Sequence, residues 1–229
     1  LQPLILQIET ATSSCSVALA KNGETVAARC INERNIHAEV ITLFIEEIMA
    51  KAGVSFDDLD AVAVSCGPGS YTGLRIGVST AKGLCYAADK PLIAVPTLEA
   101  MAHGALADFD NGSYDLLCPM IDARRMEVYT GVFDKEGERL QSESAEIITA
   151  DSFSGFLRVN RLLFFGDGAA KCKPVLSADL NALFFENFVN NAEHLSKIAL
   201  KKFLNGEFED VAYFEPYYLK DFIAGKKVI

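Results

Sequence analysis

The chain has no tryptophan, only three histidines, and no two cysteines at CxxC spacing. Each scarcity excludes something. A metal site built on one helix needs two histidines four residues apart, so that both imidazoles face one ion; His37, His103 and His194 have no such partner. The six cysteines, Cys15, Cys30, Cys66, Cys85, Cys118 and Cys172, lie mostly inside apolar runs. That pattern points to buried thiols in a reducing cytoplasm, not to a disulfide framework. No apolar run approaches the roughly 18 residues of a membrane span, and the opening LQPLILQIET lacks a basic leader or cleavage site. Positive charge is scarce as well: 21 Lys and Arg stand against 31 Asp and Glu, a net charge of −10. A stand-alone nucleic-acid binder usually needs a basic face. An acidic subunit can still serve RNA chemistry where a partner makes the phosphate contacts. The expectation is a soluble, cytoplasmic protein with no membrane contact.

What is present is an ordinary globular composition, half apolar. Leu4–Glu9, Cys15–Ala20 and Val26–Ile31 read as three meandering strands, with Asn22-Gly23 as a hairpin signal. Val40, Ile41, Phe44, Ile45, Ile48 and Met49 recur at helical spacing between His37 and Lys51, and Gly53 ends the helix. Ala61–Ser65 is a continuous apolar strand of the parallel-sheet kind. It leads into a glycine-rich turn, a helix from about Leu74 to Ala88, a strand Pro91–Val95 and a helix capped by Thr97. A polar stretch, Ala107–Ser113, precedes the strand Leu116–Ile121 and the hairpin Glu127–Phe133 with Leu140–Ile147. Asp151 and Ser152 are candidate caps for a short helix, Leu162–Phe165 is a strand ending in Gly166-Asp167-Gly168, and a last helix spans about Asn191 to Leu204. The pattern predicts an α/β chain of two lobes, residues 1–106 and 107–190. The helix and tail, about 191–229, are able to pack back on the first. The halves are similar in layout without a residue-level repeat.

The segment Cys66-Gly67-Pro68-Gly69-Ser70-Tyr71-Thr72-Gly73-Leu74-Arg75 joins a strand to a helix, where glycines and free amides favour anions. The phosphate-loop pattern fails for want of Lys-Ser or Lys-Thr after Gly73, and the spacing GxGxxxG is not the dinucleotide fingerprint. The alternative is a close-packed turn, continued by the small residues Gly77, Ser79, Ala81, Gly83, Ala87 and Ala88.

GPGSYTGLRIGVSTAKGL closely resembles the signature of the TsaB (YeaZ) family. ILQIETATSSCSVAL resembles its first two strands, Ile121–Arg125 with Glu127-Val128-Tyr129 its mid-chain motif, and Glu215–Lys220 its terminal motif, with Lys220 in place of arginine. The resemblance is loose between about 140 and 210. It implies an actin-like ATPase (ASKHA, ribonuclease-H-like) fold of two lobes with mixed sheets. It also implies a cytoplasmic, non-catalytic role in making threonylcarbamoyladenosine in tRNAs that read ANN codons. The implied partners are TsaD, which carries the metal and transfers the group, and the ATPase TsaE, with a homodimer when TsaD is absent and tRNA met only through the complex. In the family, two helices pack on the same pair of a partner. That places Ile41, Ile45, Ile48, Leu74, Gly77, Val78, Ala81 and Leu84 as interface residues; ordinary core is the competing reading for the isoleucines. Thr10, Ser13, Gly67, Gly69, Gly166 and Gly168 are the candidates for a degenerate nucleotide loop. The stretch Glu9–Ser14 lacks the glycine and basic residue that phosphate binding uses in this fold. No cofactor is therefore required, with ATP or ADP binding weak or dependent on an interface. Asp122 is a candidate acid, though Arg124 and Arg125 beside it suggest a structural ion pair. The alternatives are an ATPase or small-molecule kinase, and a peptidase, suggested only by the family's older glycoprotease name.

Overall fold

The computed structural model describes residues 2–109 and 112–220. Ten strands form two five-stranded mixed sheets. The first is built from β1 (Leu4–Glu9), β2 (Ser14–Lys21), β3 (Glu24–Asn32), β4 (Ala61–Gly67) and β5 (Leu92–Pro96), with helices α1 (His37–Ala52), α2 (Tyr71–Ala88) and α3 (Thr97–Asp108) in the same half. The second holds β6 (Leu116–Asp122), β7 (Glu127–Phe133), β8 (Arg139–Ile147), β9 (Leu162–Phe165) and β10 (Ala182–Phe185), with the short α4 (Ser154–Leu157) and α5 (Ala169–Leu176) between them. A 3-10 turn at Ala192–Leu195 runs into α6 (Ser196–Asn205).

The sheet orders are β3-β2-β1-β4-β5 and β10-β9-β6-β7-β8. In each, the first strand pairs antiparallel with the second and parallel with the fourth, so the two halves share one topology. Duplication is thus visible in the strand order though no residue repeat shows it.

Strand alternation divides the first sheet's side chains between two faces. Leu6, Ile8, Val62 and Val64 meet Ile41, Phe44, Ile45, Ile48, Val78 and Ala81 of α1 and α2. Ile5, Ala61, Ala63, Ile93 and Val95 meet Leu195, Ile198 and Ala199, so α6 lies on the opposite face. Helix α3 turns Leu98, Met101, Ala102 and Ala105 toward Leu117, Phe133, Leu163 and Phe165 of the second sheet. It is the packed layer between the sheets. Gln7, Glu9, Ser65 and Thr97 are also fully buried, which puts a polar seam within that layer.

Several expectations change. Helix α2 begins at Tyr71, three residues before Leu74, because Ser70 caps it. Thr97 is the first residue of α3 and not its cap: its hydroxyl meets Ser65 Oγ at 2.8 Å and accepts from Gly67 N at 3.1 Å. Asp151 and Ser152 do not cap α4, whose preceding residue is Phe153 at φ 61°. The last helix starts at Ser196, after the separate turn. β10 was not expected from the sequence.

The tail ties the halves together. Glu209 N bonds to Leu92 O at 2.9 Å, and Lys82 Nζ donates to Phe214 O at 2.8 Å. Tyr217 N then reaches Cys66 O at 2.8 Å, and Lys220 pairs with Glu127 of β7 at 2.5 Å. Among the described residues no helix is long and apolar enough to cross a membrane.

Candidate functional site

Gly67, Gly69, Gly73 and Gly77, at the end of β4 and into the first half of α2, each meet a neighbour that a side chain would displace. A Cβ on Gly69 would lie 2.4 Å from Ala11 O, on Gly73 2.1 Å from Thr10 O, and on Gly77 2.2 Å from Thr10 Oγ1. Gly67, at φ 121°, backs onto Tyr217 O, 2.2 Å from where its Cβ would be. Thr10 Oγ1 donates to Gly73 O at 2.8 Å, and Ser70 N donates to Ala11 O at 2.7 Å. The loop therefore grips the β1–β2 turn and the tail. Thr10, Gly67 and Gly69 are engaged in this packing.

The other loop candidates are engaged as well. Ser13 Oγ donates to Asn32 Oδ1 at 2.8 Å. Gly166, at φ 99°, backs onto Met120 O, and Gly168 N donates to Met120 O at 3.0 Å. Between Thr12–Ser14 and Gly166-Asp167 a cavity of about 30 Å³ remains. That is room for a water molecule or two, not for a nucleotide in this conformation.

The interface candidates also need correction. Ile41, Ile45, Ile48, Leu74, Val78 and Ala81 are buried within this chain, Gly77 faces Thr10, and only Leu84 is half-exposed. Periodicity located one face of each helix correctly, and that face is core. The outer faces carry other residues: Thr42, Leu43, Glu46 and Glu47 on α1, and Thr72, Arg75, Ser79, Gly83 and Tyr86 on α2. Leu43 is 59% exposed and Tyr86 86%.

The titratable groups have structural tasks. His37 Nε2 lies 3.0 Å from Thr12 O and 3.2 Å from Ser14 O, buried, so it tethers the β1–β2 turn and is not a surface group. His194 is buried, stacked on Phe188 and 3.4 Å from Asp108 Oδ2. Burial pushes the thiols of Cys15, Cys66 and Cys85 up to about 12, which leaves them protonated at neutral pH. Among the described residues no group of three His, Cys, Asp or Glu side chains is placed to hold a metal ion. Asp122 pairs with Lys171 and accepts from Arg124 N at 2.8 Å; the predicted ion pair with the arginine side chains does not form. Arg124 and Arg125 are consecutive left-handed residues, at φ 72° and 51°, and both side chains are exposed. A groove of about 450 Å³ between α3, the β7–β8 turn and α6 was not foreseen, since its residues come from three distant segments. Its charges largely compensate within it: Arg139 meets Glu99 at 3.8 Å, and Lys201 meets Glu138 at 3.9 Å.

Known proteins share this architecture. The family model described as "TsaD: tRNA N6-adenosine threonylcarbamoyltransferase" matches residues 31–214. The "tRNA threonylcarbamoyladenosine biosynthesis protein TsaB" of Escherichia coli is 33% identical over 231 residues, covering 98% of this chain and 97% of that one. The chain belongs to the TsaB family. A crystal structure from Pseudomonas aeruginosa, described as an uncharacterized protein with similarity to peptidase YEAZ, is 25% identical with a TM-score of 0.83, over 95% of this chain and all of that one. The activator of the 2-hydroxyisocaproyl-CoA dehydratase from Clostridium difficile, solved with bound ADPNP, has a TM-score of 0.51 at 10% identity, over 90% of this chain and 97% of that one. It shares the fold alone. The actin-like architecture implied by the signature is therefore the architecture of the chain, and TsaB-family membership connects it with threonylcarbamoyladenosine modification of tRNA.

Proposed function

We propose that the chain is a non-catalytic, activating scaffold of the threonylcarbamoyladenosine-forming complex, cytoplasmic, docking a TsaD-type subunit through the outer faces of α1 and α2. A TsaE-type ATPase joins the assembly, a second copy takes the same face when the TsaD-type subunit is absent, and tRNA is met within the complex. Gly83 carries this reading. It lies inside α2, exposed, with nothing within 4 Å of where a Cβ would be. A mid-helix glycine costs about 1 kcal/mol against alanine, and here no contact among the described residues accounts for it. A close-approaching helix of a partner does, and Ser79 one turn before keeps the approach open. Leu43 and Tyr86 supply exposed apolar contact area on the two helices.

Gly83→Leu is expected to weaken the complex with the TsaD-type subunit by at least about tenfold while the isolated chain stays folded. Leu43→Glu should do the same. Affinities by interferometry, with circular dichroism of each variant, are the measurement. Wild-type affinity in both variants would remove these faces from the interface. No cofactor is assigned: the hydroxyls and glycines of both loops are engaged internally and the cavity between them is small. Calorimetry of the chain alone with Mg-ATP should accordingly show no micromolar binding and no turnover; either result would favour an ATPase instead.

A further inference from the structure

The chain carries an excess of ten acidic groups, yet arginines gather in one region. Among the described residues, Arg34, Arg124 and Arg125 make no ion pair, although Arg34 is close enough to add its field to Asp122 and Asp167. Asp122 is already engaged by Lys171. The backbone at Arg124 and Arg125 is left-handed, which non-glycine residues disfavour, so the exposed guanidiniums are held there against a local preference. A band of aromatic and cationic side chains continues from them. Tyr129 lies in the fields of Arg124 and Lys220. Lys220 stands two residues after Tyr218, whose ring is 4.9 Å from Tyr71, and the Arg75 guanidinium lies 4.6 Å from the Tyr71 ring centroid. Tyr217, beside Tyr218, is 48% exposed. Glu127 neutralises Lys220, so the exposed cations of this band without an ion pair among the described residues are the arginines.

We propose that this band is a direct RNA-contacting surface, with Arg34, Arg124 and Arg125 taking backbone phosphates and the exposed Tyr217 offering its ring face to an unpaired base. It rests on the scaffold reading and goes beyond it, since that reading needs no RNA contact from this chain. Guanidiniums alone would suit an acidic protein equally well. Their interleaving with ring faces favours a looped or single-stranded RNA, whose bases stack on tyrosine and arginine planes. The net negative charge keeps the contact weak in the isolated chain, so it operates beside a partner that supplies further phosphate contacts.

The experiment uses the assembled complex with the TsaD-type subunit and an unmodified tRNA transcript, with affinity followed by fluorescence anisotropy across salt concentrations. The double variant Arg124→Gln/Arg125→Gln should bind about tenfold more weakly at low salt, with a log–log salt slope shallower by about two; Arg34→Gln should shift the slope by about one. Tyr217→Ala should weaken binding about tenfold with an unchanged slope. Intact assembly with wild-type RNA affinity and slope overturns the RNA contact alone. Weakened assembly, with wild-type RNA affinity and slope once assembled at saturating subunit, assigns the arginines to a protein partner and also overturns it. Failure of the wild-type chain to assemble at all overturns the scaffold reading, and this proposal with it.

Discussion

Gly73→Ala is expected to destabilise the chain by about 3 kcal/mol or more, although alanine is the better helix former. The new methyl would sit 2.1 Å from Thr10 O, more than an ångström inside ordinary contact. No flexible side chain is there to yield. Helix α2 cannot slide away, because Ser70 N holds Ala11 O and Thr10 Oγ1 holds Gly73 O. A shift sufficient for the methyl would break both bonds and move the helix off Ile8 and Val64. Gly83→Ala on the same helix should have the opposite sign, a gain of up to about 1 kcal/mol, because its Cβ enters open space. Urea midpoints of the two variants make the comparison. Equal and small effects would mean that the glycines of α2 reflect composition and not contact. The opposite signs would separate what the turn needs internally from what the outer face keeps clear for a partner.

The same contrast shows how far the sequence could be read. The hairpin at Asn22-Gly23 and the apolar stripe of α1 were legible because turn chemistry and helical period are local. What each glycine touches was not legible, since Gly73 meets Thr10 across 63 positions of chain. Periodicity located Ile41, Ile45 and Ile48 on one face but carries no information on whether that face meets a sheet of the same chain or a helix of another. β10 is four half-buried residues without alternation, placed only by pairing with β9. The ion pair predicted between Asp122 and its neighbouring arginines followed adjacency in sequence. Lys171, 49 positions away, takes that place instead, and the left-handed turn leaves the arginines to solvent. The glycine-rich signature identified the family, while the exposed outer faces and the unpaired arginines emerged only from the fold.

Glu9→Gln is expected to make the chain more stable at neutral pH and to change little at pH 4. Glu9 closes β1 inside the polar seam, fully buried, and its Oε1 accepts from Ala11 N at 2.5 Å. Its Oε2 has no hydrogen-bond partner among the described residues. Burial pushes the carboxyl above its ordinary range; the Ala11 amide, Ser65, Asn190 and the field of His194 pull the other way without reversing the shift. A carboxyl whose folded-state pKa exceeds the unfolded one binds its proton more tightly in the native state. Its contribution is therefore fully present below the unfolded value, near 4.5, and is lost as the pH rises through the folded value. Within that window the native state loses up to about 1.4 kcal/mol per pH unit relative to a variant that cannot ionise. Glutamine keeps the carbonyl that accepts from Ala11 and carries no charge to desolvate. Unfolding free energies of the two proteins, measured in urea from pH 4 to pH 8, should diverge from near pH 4.5 upward and become parallel above the folded-state pKa. A constant difference across that range would mean that Glu9 does not titrate in the folded chain, and that the seam between the sheets holds its charge state by other means.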